Sequence, residues 1–322
     1  MKIFITRPIP DIGIQLLRDK GYEVLINEAA RDRAADKSEI LKGVKGADAL
    51  LCTLTEKIDS EIMDAGLPTL KMIANYAVGF DNIDVEAARQ RNIMVANTPG
   101  VLTDTVAEHT FALMLAISHR IAEADKFIRA GKYNAWGPTL LLGDDLSGKT
   151  LGVIGLGRIG SRVAYHAVKG FDMEVLYNDI KPDAGFEKEL GAVFIEKLED
   201  LLPGCDYVSL HVPLLDSTQH LINEQRLKMM KTSAYLINTS RGPIIDEKAL
   251  VRALKEGWIR GAAIDVFENE PEVERGLMKL NNIILTPHIA SATHETRDKM
   301  AALAAKNIIE ALEGRVPPNL VK

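Results

Sequence analysis

Three residues in the last third of the chain could together run an acid–base reaction. Arg241 lies in Asn238-Thr239-Ser240-Arg241-Gly242, Glu270 in Glu268-Asn269-Glu270-Pro271, and His288 in Thr286-Pro287-His288-Ile289-Ala290-Ser291. Each closes a short apolar run that reads as a strand, so the three can gather at one edge of a sheet. The guanidinium fork of Arg241 matches a carboxylate and can polarise a neighbouring carbonyl. His288 can protonate the oxygen of a carbonyl as it is reduced. Glu270 can hydrogen-bond the imidazole and orient it. The set suits hydride reduction of a carbonyl beside a carboxylate, and it needs no metal. A histidine taken singly is more often structural, and Arg–Glu pairs are commonly surface ion pairs. All three share strand ends, where doubly wound sheets bind ligands, and their joint placement is what singles them out.

A hydride donor has its own signature upstream. Gly155-Leu156-Gly157-Arg158-Ile159-Gly160 follows an apolar run at Thr150–Ile154 and opens a helical pattern over Arg158–Lys169. That is the context a dinucleotide fingerprint requires. Gly155 allows the tight turn, Gly157 lets backbone approach a pyrophosphate, and Gly160 lets helix pack on strand. The helix start at Arg158 and Ile159 offers N–H groups and a partial positive charge to the phosphates. The next strand ends Tyr177-Asn178-Asp179-Ile180-Lys181. Asp179 can bind the adenosine ribose hydroxyls, and no arginine follows directly to hold a 2′-phosphate. This pattern favours NAD(H). Asn178 and Lys181, neither of which repels phosphate, leave NADP(H) open.

The elements that must position these groups alternate between strand and helix. Apolar runs read as buried parallel strands at Ile3–Thr6, Glu23–Ile26, Ala49–Cys52, Met72–Ala74 and Met94–Ala96, with helical patterns between them. A second set of strands begins near Leu151. The expectation is an α/β chain with two Rossmann-like, doubly wound parallel-sheet domains. The C-terminal helix, about Glu295–Glu313, should return to the first unit. Residues 1–98 plus 290–322 then form a discontinuous, flavodoxin-like substrate domain, and 99–289 the dinucleotide-binding domain. One long helix, capped at Asp104 or Thr105 and running to about Ala130, should join the two. Its segment 111–117 is apolar on every side and should be buried all round.

Bulk properties exclude other classes. A net charge of −6 argues against nucleic acid or an anionic membrane as the main partner. Cys52 and Cys205 lie far apart in strand-like contexts, which speaks against a disulfide framework. The N-terminus starts a strand directly, without a signal-peptide layout, and no apolar run reaches membrane-spanning length. A reducing cytoplasm is the expected home.

Six ordered motifs extend the pattern over essentially the whole chain. They are Asn75–Asp84 (Asn-Tyr-Ala-Val-Gly-Phe-Asp-Asn-Ile-Asp), Thr98–Thr103 (Thr-Pro-Gly-Val-Leu-Thr), the glycine fingerprint, Asn238–Gly242, Glu268–Pro271 and Pro287–Thr293. With them the chain resembles the D-isomer-specific 2-hydroxyacid dehydrogenases, most of all their glyoxylate/hydroxypyruvate reductase branch. The resemblance implies a homodimer that reduces small 2-oxo acids, glyoxylate to glycolate and hydroxypyruvate to D-glycerate. It implies that Arg241 binds substrate, that Glu270 orients the histidine and that His288 is the acid/base. It further implies that the N–H groups of Val78 and Gly79 bind the substrate carboxylate and that Leu54 and Ser291 face the substrate. Trp136 would project into the partner subunit's pocket. Thr103, Val212, Pro213, Thr218, Thr239, Ser240 and Asp265 would join the fingerprint around the cofactor, with Asp265 on the carboxamide.

Plainer readings stand beside several of these. Val78-Gly79 could be a simple turn, Thr103 a helix cap, Asp265 a strand-end residue and Trp136 a packing aromatic. NAD-using relatives usually carry Asp where Asn178 stands, so Asp179 falls one residue late. D-lactate or D-3-phosphoglycerate dehydrogenase is the alternative within the class. A phosphorylated substrate would want extra cations, and Asn75–Phe80 offers none. The alternative from another class is an NAD(H)-sensing, corepressor-like binding protein, against which the lack of a basic surface speaks.

Overall fold

The structure, a computed structural model, describes residues 1–321. The chain begins β1 (Lys2–Ile5), α1 (Asp11–Asp19), β2 (Glu23–Ile26), α2 (Lys37–Gly43), β3 (Ala49–Cys52), α3 (Ser60–Gly66), β4 (Met72–Asn75), α4 (Val85–Gln90) and β5 (Met94–Ala96). It continues α5 (Thr103–Ser118), α6 (Ile121–Arg129), β6 (Thr150–Ile154), α7 (Arg158–Phe171), β7 (Glu174–Asn178), α8 (Ala184–Leu190), β8 (Val193–Phe194), α9 (Leu198–Leu201) and β9 (Tyr207–Leu210). It ends α10 (Glu224–Met229), β10 (Tyr235–Asn238), α11 (Glu247–Glu256), β11 (Gly261–Ile264), β12 (Ile283–Leu285) and α12 (His294–Leu312). Two compact units result, Met1–Leu102 with Ala292–Lys322, and Thr103–Ser291.

The first unit holds a parallel sheet of order β2-β1-β3-β4-β5. This is the flavodoxin-like order, in which the chain reverses direction between β1 and β3. β3 and β4 are buried along their whole length, as their unbroken apolar runs require. β2 departs from the expectation of a buried strand: it lies at the sheet edge, and Glu23 and Leu25 are exposed. The closing helix α12 lies on α1 and β4. Thr293 caps it, its side chain accepting from the Thr296 N–H at 3.3 Å.

The second unit holds a seven-stranded sheet of order β12-β11-β10-β9-β6-β7-β8, parallel throughout. Its direction reverses between β6 and β9, the Rossmann arrangement. Successive side chains go to opposite cores. Leu236 joins Leu210 and Ile264 on one face, while Tyr235 and Ile237 join Val153 and Ala263 on the other. The two-residue edge strand β8 has no periodic signal long enough to read from sequence.

The long joining helix is two helices. α5 stops at Ser118 because that residue's carbonyl accepts the Asp144 N–H at 3.0 Å and is lost to the helical ladder. Arg120 then adopts a left-handed conformation, φ 54°, and its guanidinium holds Glu123 through two 2.8 Å hydrogen bonds at the start of α6. Nor is segment 111–117 covered on every side by this chain. Phe111, Leu113, Met114 and Ile117 are buried, but Ala112 is exposed and Leu115 and Ala116 are half-buried. No helix among the described residues is long and apolar enough to cross a membrane.

Thr293→Ala should cost about 1 kcal/mol through the lost cap. Hydrogen exchange should locate the loss in the first turn of α12, and equal protection in variant and parent would refute the cap's role.

Candidate active site

Parallel register brings every strand end of the second unit to one edge. Ile154 is level with Asn178 and Leu210, Asn238 with Leu210 and Ile264, and Ile264 with Leu285. The segments that follow, Gly155–Gly160, Asp179, His211–Pro213, Thr239–Arg241, Asp265–Glu270 and Thr286–His288, therefore emerge side by side. Arg241, Glu270 and His288 all belong to this edge.

Glu270 and His288 are joined directly. His288 Nδ1 lies 2.9 Å from Glu270 Oε2, which assigns the Nδ1 proton to that bond and leaves Nε2 for another partner. Glu270 Oε1 accepts the Phe267 N–H at 3.0 Å, which fixes the carboxylate's rotamer. Both side chains are 23% exposed, enough to meet a ligand while remaining packed.

His288 itself sits in the left-handed region, φ 53°, a conformation that costs a non-glycine residue on the order of 1 kcal/mol or more. Asp265 over-determines it. Its carbonyl accepts the His288 N–H at 2.8 Å. Its carboxylate, 0% exposed, accepts from Ile289 N at 2.9 Å, Ala290 N at 2.8 Å and Thr286 Oγ1 at 2.6 Å. His109 Nε2 stands 3.6 Å from the same carboxylate. Burial alone would push the Asp265 carboxyl up, but the hydrogen bonds from His109, Thr286, Ile289 and Ala290 outweigh it and hold the group below its ordinary value.

Arg241 follows β10 in extended conformation and precedes a turn of 3₁₀ helix at Gly242–Ile244. The Asn238 side chain braces this corner, donating to Arg241 O at 2.8 Å and accepting from Ser240 N at 3.0 Å. A Cβ at Gly242 would lie 1.9 Å from the Phe267 carbonyl. Glycine is thus required where the Arg241 corner passes the segment that carries Glu270. That segment is held from behind as well: Glu247 Oε1 accepts the Glu268 N–H at 2.8 Å, and His220 Nε2 meets Glu268 Oε1 at 2.8 Å.

The fingerprint residues fit a dinucleotide. Gly155 has φ +94°, and a Cβ there would lie 2.8 Å from the His211 carbonyl carbon. A Cβ at Gly157 would meet nothing within 4 Å, so the backbone there is open to close approach. α7 begins at Arg158 and Ile159 with no acidic residue in its first turn. Of the two ribose candidates, Asp179 lies at this loop, its Oδ2 accepting the Leu156 N–H at 2.6 Å. The Asn178 amide is turned to the end of β8, donating to Ile195 O and Glu196 O, both at 2.9 Å. The carbonyl of Val212 accepts from Ser240 Oγ, and that of Pro213 from Thr218 Oγ1 at 2.7 Å. Thr239 is buried, its hydroxyl 3.0 Å from that of Thr110. Thr103 opens α5, and Ser291 closes the unit, half-buried.

In the first unit, Val78 and Gly79 lie in the turn after β4. The carbonyls of Ala77, Val78 and Gly79 accept from Thr98 N at 2.9 Å, Asn97 Nδ2 at 2.6 Å and Asn75 Nδ2 at 2.7 Å. With the carbonyls tied inward, the N–H groups of Val78 and Gly79 have no acceptor among the described residues, the arrangement of an anion-binding nest. Leu54 is half-buried in the turn after β3. Trp136 is 78% exposed on the segment after α6.

Two histidines outside the expected trio support the site. His109 lies beside the Asp265 carboxylate. The His211 backbone packs against Gly155, and its Nε2 is 2.8 Å from Ser209 Oγ. Burial pushes His211 down to about 3, so this imidazole is neutral. Its place in His211-Val212-Pro213, directly after a strand beside the switch point, was the available signal.

Fold and site together define a dinucleotide-binding oxidoreductase with a carboxylate-oriented histidine. Residues 111–290 match the model of the D-isomer specific 2-hydroxyacid dehydrogenase NAD-binding domain. The chain is 50% identical to a glyoxylate reductase of Thermofilum pendens over 99% of this chain and 94% of that one. It is 48% identical to a glyoxylate reductase of Pyrococcus furiosus, over 99% and 95% respectively. A crystal structure of a Thermus thermophilus protein superposes with TM-score 0.93 at 44% identity, covering both chains completely. The NADPH-dependent glyoxylate/hydroxypyruvate reductase of Sinorhizobium meliloti, solved with NADP and malonate, gives TM-score 0.87 at 31% identity, over 99% of this chain and 96% of that one. This chain belongs to the D-isomer-specific 2-hydroxyacid dehydrogenase family.

Because the folded-state pKa of Asp265 is depressed, the carboxylate contributes stability above its unfolded value of about 4, and that contribution is lost as pH falls through the lower folded value. Asp265→Asn should cost about 1–3 kcal/mol at neutral pH by facing an amide donor with backbone N–H groups. In urea unfolding the gap from the parent should narrow as the pH is lowered progressively below the ordinary carboxyl value; a gap independent of pH would contradict this account.

Proposed function

We propose that the chain reduces small 2-oxo acids, glyoxylate to glycolate and hydroxypyruvate to D-glycerate, with NADH preferred and NADPH accepted. The observation that carries this reading is the Glu270–His288 pair set on the same sheet edge as Arg241 and the dinucleotide loop. Relatives named glyoxylate reductase at about half identity support the choice of substrate.

The nicotinamide cofactor supplies the hydride when bound. The N–H groups of Val78 and Gly79 are assigned to the substrate carboxylate, and the guanidinium of Arg241 to binding substrate and polarising its carbonyl. His288 donates the proton on Nε2 to the carbonyl oxygen as it gains charge. Glu270 holds the Nδ1 proton throughout, which keeps the ring in the donating orientation. Asp179, at the dinucleotide loop, disfavours a 2′-phosphate and supplies the preference for NADH.

We also read the enzyme as a homodimer in the cytoplasm. Ile121 and Ile128 of α6 and the following Tyr133, Trp136 and Leu142 are all exposed on the single chain, apolar side chains that a second copy would cover. Trp136 is the side chain assigned to the partner subunit's pocket. The buried free thiols Cys52 and Cys205 suit a reducing compartment.

Loss of 340-nm absorbance, with NADH and NADPH each crossed with glyoxylate, hydroxypyruvate, pyruvate and oxaloacetate, tests the reading. Fast oxidation with the first two acids is expected. Turnover confined to bulkier acids would move the chain to another branch, and tight NADH binding without turnover would favour a sensor. Arg241→Ala should lower kcat/KM for glyoxylate about 10²-fold or more, the loss expected for charge-assisted hydrogen bonds, with NADH affinity retained. His288→Ala should remove about 10²–10⁴ of kcat; retained activity would dismiss it as the acid.

Asp179→Ser should shift the NADH/NADPH ratio of kcat/KM toward NADPH by about tenfold, the equivalent of one good hydrogen bond. An unchanged ratio would mean that the ribose is read elsewhere.

A further inference from the structure

The first unit contains a buried carboxylate that the reaction above does not use. Glu56 is 2% exposed although it stands in a turn just after β3. Its Oε2 accepts from Thr6 Oγ1 at 3.0 Å, Thr53 N at 2.7 Å and Thr53 Oγ1 at 2.7 Å. Its Oε1 accepts from Thr55 Oγ1 at 3.0 Å and, more distantly, from Ala35 N at 3.5 Å. These donors are all neutral, and they come from the end of β1, the turn after β3 and the segment before α2. Burying a carboxylate is costly unless its oxygens are satisfied, so the arrangement holds those three segments together.

The position in the sheet gives the arrangement its meaning. β1 and β3 are the neighbours between which the strand order reverses, and the crevice beyond their C-terminal ends is where open α/β sheets take ligands. Here the protein's own carboxylate occupies that crevice and engages the donors around it. The unengaged N–H groups lie one strand further along, at Val78 and Gly79 after β4.

A relay of amides connects the two places. Asn82 Nδ2 donates to Thr53 O at 3.0 Å and Glu56 O at 3.1 Å. Asn75 Nδ2 donates to Asn82 Oδ1 at 3.0 Å and to Gly79 O at 2.7 Å. The backbone joins in, Ile58 N donating to Asn82 O at 2.8 Å. The turn with Leu54 and the turn with Val78-Gly79 therefore share one hydrogen-bonded frame, with Glu56 at one end and Gly79 at the other.

We propose that Glu56 is a positioning residue for the 2-oxo acid: through Thr53 and the Asn82–Asn75 pair it sets the turn at residues 53–55 and the turn at 76–80 in one register, so that Leu54 and the Val78 and Gly79 N–H groups meet the substrate together. This rests on the substrate-binding reading of those turns given above. Glu56 touches no reacting atom, and its effect falls on the oxo acid rather than on the cofactor, whose residues lie in the other unit.

Steady-state kinetics with glyoxylate and NADH on the full chain test it. Glu56→Ala should raise the glyoxylate KM at least tenfold, leave the NADH KM within twofold and lower kcat less than KM rises. Glu56→Gln should recover most of the loss, because its amide oxygen can still take the Thr53 N–H while the Thr55 hydroxyl rotates to accept from its NH₂. Asn82→Ala should reproduce the selective rise, and the Glu56→Ala/Asn82→Ala double variant should go no further than the larger single. A folded Glu56→Ala enzyme with an unchanged glyoxylate KM overturns the proposal. So does a parallel loss for glyoxylate and NADH, which is the mark of general structural damage. Should Glu56→Ala fail to fold, Asn82→Ala decides by the same criteria. A wild type that reduces no oxo acid fails the reading of the reaction and the proposal with it, whereas an active wild type with an indifferent Glu56→Ala fails the proposal alone.

Discussion

The carboxylate of Asp265 decides where His288 can stand. Three donors from Thr286, Ile289 and Ala290 converge on it, and its own carbonyl holds the His288 N–H. The histidine is thereby kept in a left-handed conformation that a β-substituted residue avoids when unconstrained. With the backbone fixed, the two side-chain torsions of the imidazole remain, and the Glu270 contact restricts both. The remaining supports act on this pair in turn. Phe267 and Glu247 hold the segment of Glu270, and Gly242 lets the Arg241 corner lie against it. The proton donor proposed for this position would gain from such a scaffold, since misplacement by an ångström can cost about 10²-fold in rate.

Much of this was legible because parallel sheets write themselves plainly in sequence. Unbroken apolar runs such as Ala49–Cys52 and Tyr235–Asn238 announce strands buried on both faces. The residue types just beyond such runs are those that face ligands. The sheet orders agree with the expected fold class for the same reason. What sequence hid were competitions that depend on partners far away in the chain. The break after Ser118 is caused by the N–H of Asp144, and no local propensity in the apolar run 111–117 signals it. The exposed edge of β2 depends on its place in the sheet, not on its composition. Asn178 reads as a cofactor residue from its position at a strand end, yet its amide is committed to two carbonyls beyond β8. Glu56 gave no signal at all, because a glutamate in a turn is ordinarily solvated.

The two units use one architectural rule with different contents. At the reversal point of the second sheet, the glycine loop leaves backbone N–H groups open at the start of α7, as a dinucleotide requires. At the reversal point of the first, Glu56 has already filled the crevice with an anion of the protein's own. A parallel α/β sheet thus specifies where ligands can bind, while the residues at its loop ends determine whether that place is left open or closed off from within.

The donors at Val78 and Gly79 belong to the main chain, and this affects how the protein can change over generations. No substitution short of proline deletes a backbone N–H, so the carboxylate recognition proposed there would be shielded from most point mutations at those two residues. Variation must act instead on what shapes the turn, among them Asn75, Asn97 and the Thr98 backbone, which tie its carbonyls inward. The side chain of Leu54, proposed to face the substrate, would then be free to drift and to remodel the room left for the rest of it. A lineage built on such a turn can diversify in the acids it accepts while the capture of their shared carboxylate stays constant.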